Sequence, residues 1–238
     1  AWSLCFSGIA RWLILSPIFV IVSTRREPRH SLAEGINGAW LVVFVSTESI
    51  SVLVALVAPA FEAKDLAFFL ALCIYFVGAM LYIVFIALIF YRWMFFPWTP
   101  DTLTPSYWIN MGALAITTLA GSRLILAAGH WPFLAEIAPF LKGFTLFFWA
   151  AGAWWIPLLV IVGFWRHGVQ RVPLMYHPQY WSLFFPVGMF TASTFLLAQA
   201  TGLSFLYAVP RLFVWSALAA WTISFIGMAK DLVRRVAA

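Results

Sequence analysis

Seven stretches of this chain are too long and too apolar for any water-soluble fold, and that pattern constrains everything else. They run over 1–23, 35–58, 65–91, 107–128, 139–164, 180–199 and 211–229. A helix needs about 20 mostly apolar residues to cross the hydrocarbon of a bilayer. Hydrocarbon offers no partner to a bare amide or carbonyl, so runs of this kind are read as helices. The sequence therefore predicts an all-α integral membrane protein of about seven transmembrane helices, a single domain over 1–238. Residues 131–138 are expected to form a short interfacial helix ahead of the fifth span. Only 9% of the residues are charged, against about 25% in soluble domains, which leaves nothing for a domain outside the bilayer. Fourteen Trp and 24 Phe fit wide interfacial and lipid-facing bands.

The net charge of +6 raises the possibility of a nucleic-acid partner, but the placement of the charges argues for membrane topology and no nucleic acid. Alternate loops collect Arg25, Arg26 and Arg29, then Arg92, then Arg166 and Arg171, then Lys230, Arg234 and Arg235. The opposite loops hold only Lys64 and Arg211. Basic loops stay on the cytoplasmic side. The expectation is a multi-pass protein of the cell inner (plasma) membrane with a cytoplasmic C-terminus. Seven spans would then start residue 1 outside, without a signal sequence. An odd number of helices ahead of it would remove that oddity, so an N-terminal truncation is expected.

The chain also repeats. Pro105-Ser106-Tyr107-Trp108 opens the fourth span and Pro178-Gln179-Tyr180-Trp181 the sixth, while Ala39-Trp40 opens the second. A polar cluster follows each Trp. The clusters hold Ser46, Thr47 and Glu48 in the second span, Thr117 and Thr118 in the fourth, and Thr191, Ser193 and Thr194 in the sixth. The unit of repetition is a helical hairpin. Hydroxyls in a membrane either bond back to their own helix and its neighbours or line a wet path. A path lined by hydroxyls without rings of acids suits anions or neutral solutes.

Charge inside a span is functional by default. Glu48 is read either as a protonatable relay or as half of a structural ion pair. Lys142 and Arg123 are read either as snorkelling cations or as anion attractors at the outer mouth. The four histidines, His30, His130, His167 and His177, fall in loops, which argues against a haem held between helices. Lys230 sits at the end of the last span rather than midway, where a retinal protein needs its lysine. Cys5 and Cys73 form no metal pattern. No cofactor and no metal are expected.

Six segments carry a family resemblance: EGINGAW (34–40), PSYWINMGALAITTLAG (105–121), FLKG (140–143), WWIPLL (154–159), WRHG (165–168) and YHPQYWSLFFPVGM (176–189). The chain resembles the tellurite-resistance/dicarboxylate transporter family, also called the voltage-dependent anion channel family, in its bacterial branch. The family includes plant slow-type anion channels and fungal malate transporters. The resemblance implies a ten-helix, five-hairpin pore, of which these would be the last seven helices. It also implies transport of small anions, either four-carbon dicarboxylates or tellurite and other inorganic anions, and a homotrimer. An aromatic gate beside a proline maps onto Phe185 and Pro186. The sequence-level competitor for Phe185 is Phe184, and the bland alternative is packing between helices. The competing function is a polytopic membrane enzyme or assembly subunit.

Overall fold

Each apolar stretch becomes a helix. The computed structural model describes residues 2–25, 36–100, 102–173 and 175–237. Helices α1 (Trp2–Arg25), α2 (Val42–Val57), α3 (Lys64–Phe95), α4 (Ile109–Leu126), α5 (Pro132–Phe164), α6 (Trp181–Thr201) and α7 (Ala208–Ala237) follow in order, and no strand occurs among the described residues. Six of these, taken with their flanking turns, are long and apolar enough to cross a membrane; α1 carries a shorter apolar stretch, Phe6–Phe19. Arg26, Arg29, His30 and the Glu34-Gly35 start of one motif lie outside the described residues, as does the side chain of Cys5.

One boundary differs from expectation. There is no separate interfacial helix over 131–138: α5 starts at Pro132 and runs unbroken through Pro139 and Pro157. A proline at the first helical position loses no bond the helix needs. Interior prolines each remove one donor, which membrane helices tolerate. Lys142 therefore stands in the third turn of α5 rather than in its first.

The repeat is plain in the backbone. The short helices α2, α4 and α6 each open on a 3-10 turn: Gly38–Leu41, Pro105–Trp108 and Pro178–Tyr180. Each leaves through another, Ala58–Ala60, Ala128–His130 or Ser204–Tyr207, into a longer helix, α3, α5 or α7. The Trp motifs of the sequence are these opening turns. Asn37 and His177 cap two of them with side-chain acceptors. Gly202, at φ 78°, ends α6 in the left-handed conformation that glycine adopts without strain.

Helix α4 sits at the centre, packed against α2, α3, α5 and α6, while α1 lies on α2 and α7 on α6. Most of it is buried, whereas α7 is largely exposed beyond the residues that pack on the core, such as Phe213 and Ala217. Lipid is as apolar as a leucine side chain, so membrane helices associate through close packing and polar contacts. Small residues on α4 allow this. A Cβ on Gly112 would come within 3.0 Å of Pro186 Cβ on α6. A Cβ on Gly121 would come within 2.7 Å of the Tyr75 hydroxyl, which pairs with Thr145 at 3.1 Å in front of that glycine. Phe44, Tyr82, Phe148, Trp155 and Phe190 fill the space around α4.

Sidedness is directly testable. Arg171 is exposed between α5 and α6, and Lys64 is exposed at the start of α3. In a background without Cys5 and Cys73, Lys64→Cys should react with an impermeant maleimide added outside cells. Arg171→Cys should react only after permeabilisation, because its loop belongs to the basic side. Labelling of Arg171→Cys from outside would reverse the topology.

Candidate functional site

Three features lie in line along α6. The first is a vestibule where the opening turns of α2, α4 and α6 converge with the last turn of α3. It encloses about 340 Å³ and is lined by Asn37, Arg92, Thr104, Ser106, Gln179 and Ser182, among others. Gly38 makes the convergence possible: a Cβ there would stand 2.9 Å from Tyr107 Cα. Arg166 anchors the same end from the π turn Trp165–Val169 that follows α5, by donating from Nη1 to the Leu103 carbonyl at 2.9 Å.

The second feature is Phe185, three residues after Ser182. The residue is 43% exposed. Phe184 turns away and packs edge-on against Trp181 at 4.4 Å. Pro186 is buried against Gly112, and α6 continues through it.

The third feature is a groove of about 720 Å³ beginning at Gly188, three residues further on. Thr191, Ala192, Phe195 and Gln199 continue it along α6, Arg123 enters from the last turn of α4, and Arg211 from the start of α7. The Nε of Arg123 has no hydrogen-bond partner. Among the described residues lining the groove there is no carboxylate. Two guanidinium groups without a counter-charge make this wall electropositive.

Of the residues singled out by sequence, Thr191 and Arg123 line the groove. Ser46 is half-buried on α2. Thr47, Glu48, Thr117, Thr118, Ser193 and Thr194 are fully buried between helices. Their hydroxyls bond back to their own helices, as in Thr117 to the Ala113 carbonyl at 2.9 Å and Thr118 to the Leu114 carbonyl at 2.8 Å. Two also accept indole N–H groups: Thr47 from Trp12 at 2.8 Å and Thr194 from Trp149 at 2.9 Å. Lys142 is exposed on α5, outside the groove.

Glu48 is buried with its carboxyl against Gly78 of α3, where a Cβ would meet its Cδ at 2.7 Å. The Thr117 hydroxyl is beside it, yet neither carboxyl oxygen makes a hydrogen bond of good geometry. The ion pair at Arg235–Asp231 does not involve it, and no cation reaches it among the described residues.

The stripe Gly188, Ala192, Phe195 and Gln199 escapes a search for hydroxyls. Its signal is spacing: with Phe185 it recurs every three or four residues, one face of a helix. The vestibule has no local signal, since four separated segments build it.

The family model described as Voltage-dependent anion channel matches residues 1–229, and the chain belongs to that family. An uncharacterized membrane protein of Mycobacterium tuberculosis is 38% identical over 156 residues, 66% of this chain and 79% of the relative. An uncharacterized transporter of Methanocaldococcus jannaschii is 24% identical over 227 residues, covering 94% of this chain and 62% of the relative. A second uncharacterized transporter of that archaeon is 28% identical over 149 residues, 63% of this chain and 42% of the relative. No solved structure matches the chain.

Proposed function

We propose that this chain forms the wall of a transmembrane anion pathway that runs along α6, with Phe185 as its gate and Arg123 as the attractor at its outer mouth. The observation that carries the reading is the order of features on one helix: a polar vestibule, an exposed phenylalanine beside a proline, then a groove with two arginines. Family membership supports anion transport in general and favours a transporter or channel over an enzyme or assembly subunit. Within that class the solutes are small dicarboxylates or inorganic anions. The ten-helix ring and the homotrimer implied by the resemblance belong to the same proposal, as does the plasma-membrane location with a cytoplasmic C-terminus. In this reading Thr191, which lines the groove, is the hydroxyl that meets a passing solute.

Purified intact protein in liposomes should pass succinate or sulfate down a gradient. Repeating the measurement with an imposed proton gradient separates a channel from a coupled transporter. Arg123→Gln should lower the flux about threefold at low salt and less at high salt, because exposed charge acts only within a Debye length of about 10 Å at 0.1 M salt. Lys142→Gln should leave it unchanged. Equal flux in wild type and Arg123→Gln at low salt would remove the attractor.

A further inference from the structure

We propose that the cleft between segment 175–180 and the second half of α7 holds an anionic phospholipid, with its phosphate at Lys230 and an acyl chain against α7. The site is independent of the transport reading, since it shares no lining residue with the vestibule or the groove. It encloses about 360 Å³ and is lined by Met175, Tyr176, Tyr180, Ile223, Ser224 and Lys230, among others. Gly227 lets the Tyr176 ring lie flat on the helix: a Cβ there would stand 3.0 Å from Tyr176 Cδ2 and 3.2 Å from its Cβ.

The polar groups of the cleft are donors. The Tyr176 hydroxyl accepts from Trp181 Nε1 at 2.9 Å, which fixes the phenol, and its own proton has no acceptor among the described residues. Thr222 closes on the Leu218 carbonyl at 2.8 Å, but Ser224 makes no such bond among the described residues and lines the cleft. Tyr180 is not counted, since its hydroxyl lies 3.5 Å from His167 Nε2. Lys230 is exposed at the basic end of α7. The neighbouring acid, Asp231, is taken by Arg235 at 2.9 Å, and no ion pair reaches Lys230 among the described residues. No carboxylate lines the cleft. An ammonium, a phenol and a hydroxyl therefore await a ligand that brings acceptors, and a lysine serves a phosphate as a point charge.

The rest of the lining decides what carries the phosphate. Met175, Ile223 and Ile226 are exposed apolar side chains beside these donors. A free phosphate gains nothing from them, whereas an acyl chain buries them. Lys230 stands where an apolar span ends, the level at which lysines reach headgroups and basic pockets hold anionic lipid. A choline or ethanolamine head would bring a second cation toward Lys230, so the net charge of the lipid is negative.

The test is native mass spectrometry of the purified intact protein, titrated separately with phosphatidylglycerol and with phosphatidylcholine of the same chains. Phosphatidylglycerol should bind about fivefold more tightly, the scale of one basic residue at an anionic surface. Lys230→Gln should erase that preference. The double variant Tyr176→Phe, Ser224→Ala should weaken phosphatidylglycerol about threefold or more, the scale of a neutral hydrogen bond. Arg234→Gln, exposed but outside the lining, should bind as wild type does. Equal binding of the two lipids by wild type, or a preference that survives in Lys230→Gln, overturns the site. So does an equal loss in Arg234→Gln and Lys230→Gln, which would mean diffuse surface charge, and so does unchanged affinity in the hydroxyl double variant. Glycerol 3-phosphate that competes as strongly as the intact lipid overturns the lipid as occupant.

Discussion

Phe185→Ala should raise the anion conductance of the intact protein roughly tenfold, the change produced by lowering a barrier by about 1.4 kcal/mol, while Phe184→Ala leaves it near wild type. The two rings are neighbours in sequence but about 100° apart around the helix. Phe184 spends its face on Trp181, whereas Phe185 is exposed and lies on α6 between Ser182, which lines the vestibule, and Gly188, which lines the groove. In the proposed pathway a ring there would obstruct a narrow path and also dry it, and both effects would oppose a hydrated anion. The proline beside it matters as well. Pro186 cannot donate to the Ser182 carbonyl, so that carbonyl, on a residue lining the vestibule, is left with spare accepting capacity one turn below the ring. Single-channel or bilayer recordings of both variants, with melting curves to confirm folding, decide the point. Matching conductances in the two variants would remove the gate.

The second large effect is on stability. Gly112→Val should cost about 1–3 kcal/mol through overpacking, and Gly188→Ala should cost nothing or stabilise by up to about 1 kcal/mol through helix propensity. Both glycines lie in helices beside the same proline, so propensity alone predicts the same sign for both. Space decides otherwise. A Cβ on Gly112 would stand 2.8 Å from Pro186 Cγ and 3.0 Å from its Cβ, and a pyrrolidine ring cannot swing aside. A Cβ on Gly188 has nothing within 4 Å. Thermal unfolding in detergent should show a lower midpoint for Gly112→Val and no loss for Gly188→Ala. A Gly112→Val protein as stable as wild type would mean that α4 and α6 do not meet at this contact.

The spans and their pairing were legible because lipid leaves the chain little choice: long apolar runs become helices, and turn motifs such as Pro105-Ser106-Tyr107-Trp108 mark where each pair begins. The start of α5 was not legible, because Pro132 and Pro139 read equally well as a break and as positions a membrane helix absorbs. The polar clusters mark the short helices α2, α4 and α6 of the repeat and not their exposed faces. A threonine such as Thr117 satisfies its hydroxyl on its own backbone, so its presence says nothing about what the helix faces. Phe185 could be singled out because a proline follows it. Arg92 could not be distinguished from any other basic residue at a helix end, since it lines a cavity only because segments 36–42, 102–109 and 179–182 meet around it.

The hydroxyls that close on their own helices also bear on how the protein enters the membrane. A span whose polar side chains are already satisfied can leave the translocon alone and find its neighbours later. By this criterion the threonines of α4 and α6 need no neighbour once those helices have formed. Helix α2 differs, because Glu48 packs against Gly78 of α3 and beside the Thr117 hydroxyl of α4, both synthesised afterwards. Until then the carboxyl faces lipid or the insertion machinery, and an acid at that depth is costly. The α2–α3 hairpin should therefore pass into the bilayer as one unit, with α2 waiting on the ribosome for the residues around position 78.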